Sequence, residues 1–102
     1  MATSLTGKQS RHLRALAHSL KPVVQIGKNA LGDGVQEQIE AQILSHELIK
    51  VRIGSECPVD ARTIATELEA TLGTQTAQII GKTLVLYRRH PQKPKIELPK
   101  GR

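Results

Sequence analysis

KPVVQIGKNALGDG, running from Lys21 to Gly34, contains the change of pattern that decides how this chain is built. Val23, Val24 and Ile26 form a short apolar run that reads as a buried strand. Gly27, Lys28, Asn29 and Gly32 follow as a glycine-punctuated basic loop, and Asp33 opens a helix. A strand that passes through a glycine loop into a helix is the local unit of an α/β chain. It also leaves backbone N–H groups open beside the positive end of a helix dipole, a geometry suited to phosphate. The glycines alone have a plainer explanation, that they only turn the chain from strand to helix.

Upstream, Leu13, Leu16, Ala17 and Leu20 recur at helical spacing over Thr6 to Leu20, and Thr6 with Gln9 three residues later fits a capping box. At 100° per residue Arg11, Arg14 and His18 fall together, away from the leucine stripe, which gives this helix a basic outer face. Pro22 ends it, because the residue before a proline is pushed out of the α region.

Downstream, Asp33 as N-cap with Gln36 reads as a second capping box, and Val35, Ile39 and Ile43 mark the buried stripe of a helix ending near His46. Leu48 to Ile53 alternates, with Ile49, Val51 and Ile53 on one side and Lys50 and Arg52 on the other, as a half-buried strand does. Pro58 suits the first position of a third helix, whose stripe is Ile64, Ala65, Leu68 and Leu72 and whose stop is Gly73. Thr76 to Ile80 and Thr83 to Tyr87 are β-prone runs joined by Gly81-Lys82, a tight hairpin of type II′. The expected order is α-β-α-β-α-β-β, a two-layer α/β sandwich with right-handed crossovers and one antiparallel strand. The domain spans 1–88. Residues 89–102, with three prolines, form a basic tail, extended or disordered, in which Ile96 and Leu98 are placed as a short edge strand.

At 102 residues the chain supports one hydrophobic core. Its apolar runs are too short to span a membrane, and its start lacks the apolar region of a signal peptide, so a soluble cytoplasmic protein is expected. Cys57 has no second cysteine to pair with, and neither a zinc framework nor any other cofactor is indicated. The net charge of +6 is segregated. Residues 1–32 carry five Lys/Arg and no acid, residues 33–87 four against eight, and residues 88–102 six against one. Basic ends around an acidic middle form an electrostatic footprint for nucleic acid, though charge runs also serve as plain solvated surface. Tyr87 is the only aromatic residue, so base-stacking platforms cannot be built; an RNA held here is held mostly by its backbone.

Catalysis has no support. No nucleophile, base and orienting group can be assembled from one Cys, scattered His and unclustered carboxylates. Gly81-Lys82-Thr83 lacks the earlier glycine and the following helix of a phosphate-binding P-loop. No small-molecule substrate is implied.

LRALAHSLKPVVQIGKNAL, HELIKVRI and IIGKTLVLYR together resemble the CRM domain family, the RNA-binding domain of chloroplast RNA splicing and ribosome maturation, and within it the stand-alone bacterial YhbY-type members. The resemblance covers about Leu5 to Arg88. It implies a four-stranded mixed sheet similar to the C-terminal domain of translation initiation factor three, and binding to structured RNA, for the stand-alone members ribosomal RNA in precursors of the large subunit. It also implies a GxxG element like that of KH domains, clamping backbone through main-chain N–H groups. That element falls on Gly27, Lys28, Asn29 and Ala30, with Ala where the pattern has Gly. The candidate RNA-contacting residues are these four with Lys8, Arg11, Arg14, Lys21, Lys50 and Arg52, and Arg88, Arg89, Lys93 and Lys95 as mobile attraction. A monomer is expected. The rival readings are a protein-interaction module docking on a ribosomal protein through the sheet or the acidic third helix, and a DNA binder, for which no docking motif is recognisable.

Overall fold

A computed structural model describes residues 5–99 and has the elements in the expected order: α1 (Gly7–Ala17), β1 (Pro22–Ile26), α2 (Asp33–His46), β2 (Leu48–Ile53), α3 (Ala61–Leu72), β3 (Gln75–Ile80) and β4 (Thr83–Tyr87). The sheet runs β1-β2-β4-β3. β1 is parallel to β2, and β4 is antiparallel to both of its neighbours, so one strand runs against the other three. This is the α/β class with a four-stranded mixed sheet.

Alternation along β2 and β4 divides the core in two, since successive strand side chains point to opposite faces. Ile49, Val51, Leu84 and Leu86 pack under Ile39 and Ile43 of α2 and Ile64 and Leu68 of α3. Leu48, Val85 and Tyr87 face the other way, under Leu13 and Ala17 of α1. α2 and α3 therefore form the full helical layer, and α1 adds a partial layer on the reverse face, a position that the two-layer reading did not assign.

β1 is not a covered strand. It lies at the sheet edge, and Val23 is 43% exposed, because α1 reaches β2, β4 and β3 but leaves the reverse face of β1 open. The same limit leaves Leu16 and Leu20 outside the core although both belong to the periodic stripe.

Helix boundaries follow local hydrogen bonding. The Thr6 capping box is present, with the Gln9 N–H donating to Thr6 Oγ1 and the Thr6 N–H to Gln9 Oε1, each at 3.1 Å. α1 stops at Ala17, short of Leu20, and its end tightens as the Leu20 N–H donates to Ala17 O at 2.9 Å, ahead of the break that Pro22 imposes. Asp33 is not the N-cap. Gly32 holds that position in extended conformation (φ −60°, ψ 164°) without a side-chain cap, and the Gln36 amide donates to Leu31 O instead of closing a box. α3 begins after Asp60, not at Pro58; the Asp60 carboxylate accepts the Thr63 N–H at 2.8 Å, a side-chain cap that proline cannot provide. Gly81 has φ +55° while Lys82 stays outside the left-handed region, the combination that separates a II′ turn from I′.

Residues 89–99 form neither helix nor strand, so Ile96 and Leu98 are not an edge strand. Both pack against the α1-side core, and Gln9 Nε2 donates to Pro99 O at 3.1 Å. The segment is held by Glu47, fully buried at the junction of α2 and β2. Its carboxylate accepts the N–H groups of His90, Lys95 and Ile96, and its carbonyl accepts the Arg88 N–H at 2.9 Å. The tail is thus extended but fastened through Pro99; its last three residues lie outside the described residues.

Candidate nucleic-acid interface

The turn Gly27–Ala30 begins where β1 ends. The Gly54 N–H donates to Ile26 O at 2.8 Å, and a Cβ on Gly54 would lie 3.2 Å from that oxygen, so this glycine lets the ends of β1 and β2 approach closely. One backbone hydrogen bond closes the turn, from the Ala30 N–H to Gly27 O at 3.0 Å. Lys28 and Asn29 project from it, both exposed, while Ala30 and Leu31 pack back on the core.

Glycine and alanine have unexpected places in this turn. Gly27 does not occupy a left-handed conformation, and a Cβ there would meet nothing within 4 Å. Neither backbone nor packing requires glycine at Gly27, so what its missing side chain provides is open space above the peptide. Ala30 is the residue in the left-handed region, at φ +49°, where a Cβ costs about 1–2 kcal/mol. Ala30→Gly is therefore expected to stabilise the protein by about 0.5–1 kcal/mol, the relief being partly offset by the added freedom of the unfolded chain. A thermal melt that fails to rise would show the strain to be absent.

Beyond the turn, the uncapped N-terminus of α2 leaves the first-turn N–H groups of Asp33, Gly34 and Val35 unbonded within the helix. Asp33 is exposed beside them and already supplies the negative charge that the dipole favours. This end of α2 therefore already has a negative partner for its dipole, whereas Lys28 stands exposed on the turn.

The charge segregation along the sequence becomes segregation across the sheet. Lys8, Arg11, Arg14 and Lys21 are exposed on or just after α1, and Lys50 and Arg52 point to the α1 side, since Ile49, Val51 and Ile53 occupy the other. Glu37, Glu40, Glu67 and Glu69 all belong to α2 and α3 on the opposite side. Arg52 pairs with Gln25 on β1 and Thr83 on β4, so these three side chains form a polar row on the α1 side at the end that carries the turn. Lys50 is half-buried and pairs with Pro22, at the other end with Lys21. Six residues of extended chain at about 3.3 Å each put Lys21 about 20 Å from Gly27. The basic residues thus share a side of the molecule, and the structure does not draw Lys21 or Lys50 to the turn.

A family model of the CRS1 / YhbY (CRM) domain matches residues 5–88. The chain belongs to the CRM domain family. It is 41% identical over 95 residues to "Probable RNA-binding protein YqeI" of Bacillus subtilis, covering 93% of this chain and 99% of that one. It is 39% identical over 98 residues to the "RNA-binding protein" of Haemophilus influenzae, covering 96% and 98%. The solution structure of hypothetical protein SAV1595 from Staphylococcus aureus matches with a TM-score of 0.79 at 38% identity, over 93% of this chain and 99% of that one.

In this CRM domain Arg88 does not belong to the free cations. Its guanidinium donates to both carboxylate oxygens of Glu40, at 2.6 and 2.7 Å, and to Leu72 O at 2.9 Å. The Glu40 hydrogen bond raises the Arg88 pKa further, and the same bond from Arg88 holds the Glu40 carboxyl below its ordinary value. Fastening of the tail likewise removes the mobile character expected of Lys93 and Lys95; Lys95 Nζ reaches Ser45 O at 3.2 Å. Arg89 remains exposed. We expect Arg88→Ala to lower stability by about 1 kcal/mol, the scale of a partly screened bidentate pair, and to leave affinity for RNA within twofold in a filter-binding titration. A tenfold loss would return Arg88 to the interface.

Gln25 and Thr83 were not recognisable as neighbours of Arg52 because adjacency across strands depends on strand order. Among the described residues no group of three or more His, Cys, Asp or Glu could hold a metal ion, and no helix is long and apolar enough to cross a membrane. Cys57 is half-buried, its Sγ directed at Val59 O.

Proposed function

We propose that this CRM-domain protein binds RNA and acts in ribosome assembly, associating with precursors of the large ribosomal subunit. The observation that carries this reading is the Gly27–Ala30 turn. It offers an unobstructed peptide at Gly27 and an exposed ammonium at Lys28, a combination that suits a sugar-phosphate backbone and asks nothing of base identity. Its GxxG-like role is to clamp that backbone, with Arg52 and Gln25 beside it and the cations of α1 extending the positive side. Relatives named as RNA-binding proteins support RNA as the partner.

Electrostatic contact has a measurable signature. Log affinity for an RNA fragment should fall linearly with log salt, by about 0.7 for each phosphate neutralised; a flat dependence would remove the charge from the account. The assembly role is tested by sedimenting wild type and Lys28→Glu with ribosomal particles in a gradient. Wild type is expected with large-subunit precursors and Lys28→Glu at the top of the gradient. Wild type absent from every particle would end the assembly reading, whereas Lys28→Glu retained on precursors would instead point to docking through protein.

A further inference from the structure

Of the five exposed large hydrophobic residues among those described, Leu16, Leu20, Val23, Leu44 and Ile80, the first three converge on one groove. It is about 480 Å³ in volume and is floored by Leu48 and Ile96, with the β2 main chain at Ile49 beneath them, between α1, the β1 edge and the tail. Its charged or titratable lining residues are Lys21 and His46. His46 also borders a second hollow with Leu44, His90, Lys93 and Lys95, and no carboxylate lines either one. An apolar trough with an all-basic rim calls for an occupant that is apolar on one face and acidic around it.

We infer that this groove receives an acidic amphipathic helix of a partner protein. The lining favours protein over nucleic acid, since its five aliphatic side chains, Leu16, Leu20, Val23, Leu48 and Ile96, offer neither hydrogen bonds nor aromatic stacking to bases. It favours a helix over an added strand, because Pro22 has no N–H to extend the sheet and the register breaks between Pro22 and Val24, two features that blunt an edge. A helix with leucines at i, i+3, i+4 and i+7 places its apolar side chains in such a trough, with its carboxylates at Lys21 and His46. The groove opens at the start of β1 and the Gly27–Ala30 turn lies at its end, so RNA and protein partner can be held together.

The probe is a synthetic helical peptide of about 18 residues with that leucine spacing and glutamates on its flanks, titrated into ¹⁵N-labelled protein. Amide shifts are expected at Leu16, Leu20, Val23 and His46. Leu16→Glu and Leu20→Glu, both at exposed positions, are each expected to weaken peptide binding at least tenfold while lowering RNA affinity no more than about twofold, the effect of one added charge. A lysine-flanked version of the peptide is expected to bind wild type at least tenfold more weakly. Absence of binding, or equal binding of the two peptides, overturns the inference. So do groove amides that respond to an RNA oligonucleotide instead, and self-association abolished by Leu16→Glu, which would assign the groove to RNA or to a second copy.

Discussion

Glu47→Gln is expected to cost about 3 kcal/mol of stability and to free residues 89–99 from the domain. The carboxylate is fully buried and accepts three backbone N–H groups. An amide offers one oxygen to the same donors and brings an N–H of its own, leaving donors buried and unpaired at about 1–3 kcal/mol each. Glu47 also holds φ +62°, a conformation that costs a non-glycine residue on the order of 1 kcal/mol or more and persists only where its surroundings fix it. Burial is the largest influence on this carboxyl and pushes its pKa up, but the N–H groups of His90, Lys95 and Ile96 and the nearby His90 charge outweigh it, and the value ends below the ordinary one. A lowered folded-state pKa means that stability is present above the unfolded value of about 4.3 and is lost as pH falls through the folded one. Wild type should therefore weaken and release its tail below about pH 4.3, and Glu47→Gln should lose much of that acid sensitivity. Proteolysis of the 89–99 segment, followed against thermal melts, checks both. A variant that resists the protease as well as wild type would refute the latch.

Lys28→Glu is expected to lower affinity for structured RNA at least tenfold, about 1.4 kcal/mol, by exchanging a phosphate contact for a repulsion. Lys28 is exposed, so the melting temperature should stay close to wild type, and the salt slope should shrink by about one phosphate. Arg62→Glu on α3 is the matched control. It changes net charge equally but lies on the acidic side, and twofold is the most it should do. Equal losses in the two variants would mean that net charge, not the turn, governs binding.

Features fixed within a few residues were legible in the chain: the Thr6–Gln9 box, the Gly81-Lys82 turn, the alternation of β2 and the strand-loop-helix passage at Lys21 to Gly34. Three local readings competed with equally local alternatives and lost. Gly32 displaced Asp33 as N-cap, Asp60 displaced Pro58, and α1 closed before Leu20. What could not be read depends on pairings across long sequence separation. Arg88 looked like one more tail cation until the fold brought Glu40, 48 residues away, to its guanidinium. Glu47 belongs to no periodic stripe, and the HELIKVRI block that contains it assigns it no role, yet it fastens the segment that composition described as loose. Val23 read as buried because periodicity registers apolar character and not whether α1 extends far enough to cover it. Of the candidate site, the turn and its lysine were visible in the sequence, whereas the row of Gln25, Arg52 and Thr83 required the β1-β2-β4 order.

Tyr87 stands alone as an aromatic chromophore, in a chain without Trp or Phe, and its ring is buried at the seam of α1, β4 and the tail. Burial first, and the Glu47 charge next, raise its phenolic pKa. Near-ultraviolet circular dichroism and tyrosine emission therefore come from a single reporter at the place where the tail is fastened. Detachment of residues 89–99 can be followed in the unlabelled protein, in real time, as a change in one ring's environment.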